Sequence, residues 1–430
     1  MTSISNRITV TELTTLEEWD AISRFWDELV VSCQGASVFN SYSYLRSLYT
    51  RFLDLPSCKP AILILKNETG KPIGAAPMIR FKRWMAGFPV KVISLMYKQV
   101  LTDRTQFLLP CRQDEQLQAI LNYIRDDSGN WDVFELLEQV IDEEFESNVS
   151  SIFKDSCNYH HDLIYPAIEP FLKMDFSPNG WEKYLMTRSK KHRKKWRNLQ
   201  NRLTREGTVT ITRHTGDEDL DPFVTEYLEL EQKSRKVNNP SALSPEIRAF
   251  YLELATALRP KGNMHFVFLR LDDVPIAGLI GMSFTDRYAA LHTVFDENYS
   301  NNSAGFLVGG YDMKWAMENG YSEYDFMSGF ITDKMLWTDS YRRLHSLRLV
   351  RKRAFSGFFY LTKFRIMPVL HQILEKIGLK SSLEKLLGHK SWVQDRSKFE
   401  KHNFQLDIYN ENSEVLTTRR TPLNDSNSSE

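Results

Sequence analysis

Cysteine is scarce in this 430-residue chain. Cys33, Cys58, Cys111 and Cys157 form no CxxC pair and stand near no paired histidines, which argues against a zinc site and against a disulfide framework. A reducing, cytoplasmic setting is the expectation. An excess of one charge is missing too: Lys+Arg 55 and Asp+Glu 55 cancel, so a globally basic nucleic-acid binder or an acidic tail protein is disfavoured and any charge effect must be local. With Gly 19 and Pro 16 the chain is far from low-complexity or collagen-like composition. No stretch supplies the roughly 18 consecutive apolar residues of a spanning helix, and Met1 to Val10 lacks the basic start and apolar core of a signal peptide. GxSxG, GxxxxGK[ST] and HExxH are absent, which removes the usual support for hydrolase, ATPase and zincin chemistry, and no metal site is expected.

What is present is apolar material beyond the reach of one core. At 42% hydrophobic and 12% aromatic, 430 residues exceed the size, about 250 to 300, at which single cores stop growing. Two domains and an appendage are expected. Leu16, Trp19, Ile22, Trp26 and Leu29 recur at helical spacing, and a second helix is predicted from Tyr42 to Phe52. The period then changes to strands: Ala61 to Leu65, a polar turn with Gly70, and Pro72 to Ile79 form a hairpin, followed by strands near Val90 to Met96 and Gln106 to Leu109, a helix from Asp114 to Ile124 and a strand from Trp131 to Leu137.

The same order returns about two hundred residues later, which reads as a duplication. Phe266 to Leu269, Asp272-Asp273 and Pro275-Ile276-Ala277-Gly278 match the first hairpin; Arg287 to Phe295 is a strand, Ala304 to Asn319 a helix, and Tyr324-Asp325-Phe326-Met327 matches Trp131-Asp132-Val133-Phe134. Between the halves, Asp155 to Asn179 carries Pro166, Pro170 and Pro178 and reads as a crossover. The expected partition is 8–165, 175–353, a helical extension over 354–400 and a polar, disordered tail over 401–430.

Three segments carry candidate chemistry. Arg188 to Arg205 holds nine cations and no carboxylate, with Leu185, Trp196, Leu199 and Leu203 on one helical face, so the helix can dock while its basic face stays outside. That face is either simply solvated or meets an anion: a nucleotide, a phospholipid surface or, ranked last for want of interleaved aromatics, nucleic acid. Arg193 and Arg197 are its candidate substrate-binding residues. Ser303-Ala304-Gly305-Phe306-Leu307 leads into a helix whose N-terminus suits a phosphate; a start capped by Ser303 is the plain alternative. Asp325 to Trp337 places Asp325, Lys334 and Trp337 beyond a strand, where a carboxylate and a lysine suit acid/base work or oxyanion binding, or a surface ion pair. His292 points from a strand as a base or a satisfied core residue.

In this combination the second half resembles the GNAT-type acyltransferases, and more closely the CelD branch of cellulose-biosynthesis acetyltransferase-like proteins, related to the FemAB peptidyltransferases. The resemblance rests on Trp181 with Tyr184-Leu185, the basic helix, Pro275-Ile276-Ala277, Tyr288 to Phe295 with Asp296 and Tyr299, Ser303 to Leu307, Gly320, Asp325, Lys334 and Trp337. The first half is similar to the degenerate partner domain of such proteins through Phe39, Trp131-Asp132 and Asp103-Arg104.

It implies a mixed α/β fold of two tandem GNAT-like domains, each a mostly antiparallel sheet flanked by helices. Acyl-CoA, acetyl-CoA above all, would lie where the central strands splay, its pyrophosphate on Ser303 to Leu307, although Leu307 stands where the family has Gly or Ala. Asp325 or His292 would be the base, Lys334 the oxyanion or phosphate ligand, Tyr299 or Tyr311 the acid, and Trp337 a substrate contact. The acceptor would be an amine or hydroxyl, such as a sugar or cell-envelope polysaccharide precursor. Lys334-Met335-Leu336-Trp337 is similar to the FemAB KxxF/W motif, which leaves aminoacyl-tRNA open as donor. The competing class is a non-catalytic scaffold touching the inner membrane through the basic, aromatic stretch 355–374.

Overall fold

A computed structural model describes residues 8–352, except 34, 86–87, 99–103, 111–113, 128, 142, 154–158, 176, 178, 235–244, 260–261 and 329–330, together with 408–409 and 415–417. The first half runs β1 (Thr9–Leu13), α1 (Leu16–Asp20), α2 (Ser23–Ser32), α3 (Tyr42–Leu48), β2 (Cys58–Lys66), β3 (Pro72–Met85), β4 (Phe88–Leu95), α4 (Asp114–Asp126), β5 (Val133–Gln139), α5 (Glu143–Phe153) and β6 (Tyr159–Lys173). The second runs α6 (Gly180–Thr187), α7 (Lys190–Glu206), β7 (Val209–Thr215), α8 (Asp221–Gln232), α9 (Pro245–Ala257), β8 (Gly262–Leu271), β9 (Val274–Phe284), β10 (Arg287–Phe295), α10 (Ala304–Glu318), β11 (Glu323–Asp325), α11 (Ile331–Lys334) and β12 (Tyr341–Arg351). A short ladder, β13 (Ile408–Tyr409) with β14 (Val415–Thr417), falls in the segment expected to be disordered. The extension over 354–400 lies outside the described residues.

The duplication is visible in the topology. Each half is an antiparallel run, β1 to β4 and β7 to β10, closed by a parallel strand, β5 on β4 and β11 on β10. Beyond that point the halves exchange strands. The 12-stranded sheet has the order β1-β2-β3-β4-β5-β12-β6-β11-β10-β9-β8-β7, so β12 of the second half fills the place beside β5 and β6 of the first half fills the place beside β11. The antiparallel ladder from Tyr341↔Pro170 to Arg351↔Tyr159 joins them at the centre.

This corrects the crossover expected over Asp155 to Asn179, where β6 is a 15-residue strand. Pro166 is tolerated because the ladder shifts register between Leu344 and Ser346, leaving Tyr165 and Pro166 opposite His345 in a bulge. Pro170 keeps its acceptor role, taking the Phe326 N–H at 3.1 Å. Two further expectations also change in detail: the first helix breaks at Ala21-Ile22 into α1 and α2, and only Leu108 of the strand expected at Gln106 to Leu109 bridges, to Ala75.

One face of the sheet carries a core shared by both halves. Trp19, Trp26, Tyr44 and Leu48 lie in the same cluster as Val224, Tyr227, Phe250 and Ile280. Ser47 Oγ donates to Glu253 Oε1 at 2.7 Å across this junction. The opposite face holds separate clusters, α4 and α5 over the first half, α6, α7 and α10 over the second.

Beneath the exchanged strands lies a charge-balanced, buried network. Arg104 of the first half bonds Glu169 of β6 at 2.7 Å and also Asp325 of β11; Arg342 of β12 pairs with Glu323 and stands 3.7 Å from Asp325. Arg287 completes it, 3.6 Å from Glu323. Burial alone would push the Asp325 carboxyl up, but the Arg104 and Arg342 guanidiniums and the Met327 N–H outweigh it and hold it below the usual carboxylate range. Arg104→Ala leaves Glu169 and Asp325 short of a cation and is expected to lower unfolding free energy by about 3 to 5 kcal/mol in urea melts. Since the Asp325 contribution is present above the unfolded carboxylate pKa of about 3.9 and fades as pH falls below it, the gap between the two proteins should narrow in acid.

Candidate functional site

The site begins with a gap in the sheet. The parallel ladder of β10 and β11 spans Arg287↔Glu323 to Ala289↔Asp325, and β10 continues past its last pair from Ala290 to Phe295. A bulge between Ala290 and His292 sends both Leu291 and His292 to the α8 face. The gap therefore opens onto α8 on one face and onto the start of α10 on the other.

The start of α10 is built to leave backbone donors unused. Asp296 accepts the Asn298 N–H and begins a 3-10 turn over Glu297–Asn302 that ends with Ser303 in the left-handed region, φ 50°. Ser303 makes no side-chain cap, which sets aside the capped start as the explanation of this turn. Its carbonyl takes the Phe306 and Leu307 N–H groups at 2.9 and 3.1 Å, while the Ala304 and Gly305 N–H groups have no acceptor among the described residues. The Ala304 and Leu307 side chains are buried in the core, so the bulky Leu307 turns away from the exposed backbone. At Gly305 a Cβ would stand 3.1 Å from the Phe295 ring.

Helix α7 walls this turn. Ser189 caps it by accepting the His192 N–H, and Trp196, Leu199 and Leu203 dock as the spacing predicts. Lys195 stands 4.4 Å from the Phe306 ring centroid, Phe306 stacks on Trp337 at 4.4 Å, and Arg202 donates to the Asn301 carbonyl at 2.8 Å. His192 is buried between Phe306 and Trp337, and that burial, with Arg188 and Lys195 nearby, lowers its pKa and favours the neutral ring. Among the described residues Lys190, Lys191, Lys194, Lys195, Arg197 and Arg205 form no ion pair, so the cationic face is uncompensated.

A second buried cluster fixes α10 on the sheet. Asp312 of α10 accepts from Arg213 of β7 at 2.5 Å, from Tyr288 of β10 at 3.0 Å and from Tyr324 of β11 at 2.7 Å, and Arg213 lies 3.5 Å over the Trp315 ring. Burial and the Asp312 charge push both tyrosines well up, so they remain neutral donors.

The residues expected to act together are divided by this geometry. Ser303 to Leu307, Trp337 and Tyr299 lie on the α10 face, Tyr299 half-buried against its core. His292 lies on the α8 face, with Nδ1 3.0 Å from Tyr227 Oη and Nε2 3.8 Å from Glu231. Asp325 belongs to the buried arginine network at the seam. Lys334 Nζ donates to the Met327 and Ser328 carbonyls at 3.0 and 2.6 Å, bracing the chain where it leaves β11. Arg193 closes α6 through the Met186 and Arg188 carbonyls, Arg197 is exposed, and Tyr311 accepts from Gln200 at 3.0 Å. Sequence reasoning placed Lys195 and Arg202 only within the basic run and missed Arg213 and Asp312 as positioning residues; an acid among the buried apolar residues of α10, Asp312, is the one signal for them. Among the described residues no group of His, Cys, Asp and Glu could hold a metal ion.

Residues 190–333, a third of the chain, match the family described as Acetyltransferase (GNAT) domain. The chain has the GNAT fold, a large mixed sheet with helices on both faces. Among solved structures it is similar to FemX, with a TM-score of 0.54, 12% identity and coverage of 79% of this chain and 96% of that one. It is also similar to a conserved protein of unknown function from Bacteroides thetaiotaomicron (TM-score 0.49, 17% identity, 80% and 100% covered) and to a tandem GNAT protein from the clavulanic acid biosynthesis pathway (0.44, 9%, 80% and 98%). No curated protein matches.

The seat of α10 depends on Gly310, where a Cβ would run into Trp196 and stand 2.7 Å from Trp337. Gly310→Ala is expected to destabilise the protein by about 1 to 3 kcal/mol in thermal melts, because neither ring has room to withdraw.

Proposed function

We propose that the chain transfers an acyl group from acyl-CoA to an amine or hydroxyl acceptor at the gap between β10 and β11. The observation that carries this reading is the start of α10: two unengaged N–H groups, Ala304 and Gly305, beside the cations Lys195 and Arg202. Backbone donors at a helix N-terminus and flanking cations are what a pyrophosphate requires. The residues present fit the group, since the only bulky side chains of the first turn are Leu307, which is buried, and Phe306, which leans on Trp337.

Acyl-CoA supplies an activated thioester. The chain's part is to hold phosphate with Ala304, Gly305, Lys195 and Arg202, and to leave the sheet open between Ala290 to Phe295 and the end of β11. On the α8 face His292, oriented by Tyr227 and near Glu231, is placed to take a proton from the acceptor. Tyr299 remains the candidate to return a proton to the departing sulfur, and Lys334 acts by holding the β11 exit. An amino-sugar or cell-envelope acceptor of the CelD-like kind fits this chemistry. The uncompensated face of α7 favours one second reading, a larger phosphate-bearing donor such as aminoacyl-tRNA. The scaffold reading rests on 355–374, outside the described residues.

Acetyl-CoA at a hundred times its dissociation constant is expected to stabilise the protein by about 2.7 kcal/mol in a thermal-shift titration, and Lys195→Ala/Arg202→Ala or Gly305→Val to weaken binding about ten-fold or more. No shift with any CoA thioester, alongside salt-dependent tRNA binding, would move the weight to the second reading. His292→Ala is expected to lower kcat about a hundred-fold while leaving the acetyl-CoA dissociation constant unchanged.

A further inference from the structure

The hairpin of β3 and β4 runs past its neighbours. On the β2 side the pairing ends at Cys58↔Phe81, with one further bond from the Lys82 N–H to the Ser57 carbonyl; on the β5 side it ends at Val92↔Val133, with one further bond from the Asp132 N–H to the Lys91 carbonyl. Beyond these points, among the described residues, the two strands pair only with each other, Arg83↔Val90, Trp84↔Pro89 and Met85↔Phe88. A two-stranded ribbon without further neighbours is weakly held, so its outer side chains are not there to build the core.

Those side chains have a definite chemistry. Trp84 is 73% exposed, although a tryptophan is among the most readily buried side chains. Alternation along the strands puts Lys82, Trp84, Pro89 and Lys91 on one face, and Lys82 and Lys91 stand directly opposite each other in the ladder. Like charges in that register repel. Neither lysine forms an ion pair among the described residues; the nearby Asp132 carboxylate accepts the Lys91 backbone N–H at 2.9 Å. On the other face the contrast is complete, for Arg83 is neutralised by two 2.8 Å bonds to the buried Glu135. Trp84 and Pro89, paired across the ribbon, are both exposed and uncharged.

We infer that this hairpin is a docking finger for an anionic lipid surface, with Trp84 seated at headgroup level and Lys82 and Lys91 among the anionic headgroups. An exposed tryptophan beside Pro89, flanked by two lysines that form no ion pair among the described residues, matches the apolar boundary and negative potential of such a surface. A second copy of the finger is a poor occupant, since it would bring four lysines together. The inference does not depend on the acyl-transfer reading.

The test is co-sedimentation of the full chain with large unilamellar vesicles of phosphatidylcholine alone and of phosphatidylcholine with phosphatidylglycerol. Binding is expected on the anionic vesicles only. Trp84→Ser should lower it about ten-fold, and Lys82→Ala/Lys91→Ala about thirty-fold, at about a kcal/mol per surface lysine. Lys190→Ala/Lys194→Ala/Arg197→Ala, which tests α7 as the source of attraction, should leave most of the binding in place. Thermal melts of the finger variants are expected to match the unmodified chain, because Trp84 is exposed. Binding lost with the α7 variant and kept with both finger variants would overturn the inference. So would equal binding to neutral vesicles, no binding to either, or a Trp84-dependent dimer in solution that excludes vesicles.

Discussion

The ladder between β6 and β12 is the interaction on which the rest of the molecule depends. It joins two duplicated halves by giving each the strand of the other, so the covalent boundary near 165–175 is not a boundary in the sheet. Three arginines and three carboxylates, Arg104, Arg287 and Arg342 with Glu169, Glu323 and Asp325, lie at this seam. Buried ion pairs add little net stability over apolar packing, but an unmatched partner is costly, and a one-residue slip of β12 would carry Arg342 to the opposite face. The network therefore specifies register as much as it holds the halves together.

From that register the site follows. β11 is held by β6 on one side and meets β10 through three residue pairs on the other, so β10 extends beyond the end of that ladder. Asp312, bound by Arg213, Tyr288 and Tyr324, fixes α10 against β7, β10 and β11, so the free amides of its first turn stand at the edge of the opening. Gly310 lets Trp196 and Trp337 close over the same helix. A buried seam, a clamp and a close packing contact thus place two backbone N–H groups and two cations beside a hole in the sheet.

Much of this was legible from periodicity. The hairpins at Ile62 and Phe266, the amphipathic face of Trp196, Leu199 and Leu203, and the helix from Ala304 all express local patterns that burial then enforces. Pro166 and Pro170 misled because proline ordinarily ends strands, and the bulge in β6 that admits Pro166 is set by its pairing with β12, far away in sequence. Asp325 looked like an exposed catalytic acid for a similar reason: the residue that buries it, Arg104, comes from the other half. His292 was placed on a strand and Lys334 beyond one, yet which face each occupies depends on a one-residue bulge and on backbone carbonyls that no side-chain pattern reveals.

The most direct test of the central claim is backbone hydrogen exchange across 300–310 with and without acetyl-CoA. The Ala304 and Gly305 amides, which have no acceptor among the described residues, should exchange quickly in the free protein and slow markedly when the donor binds, with the change centred on that turn. Protection confined to other segments while acetyl-CoA demonstrably binds would contradict the assignment of the α10 N-terminus as the phosphate seat.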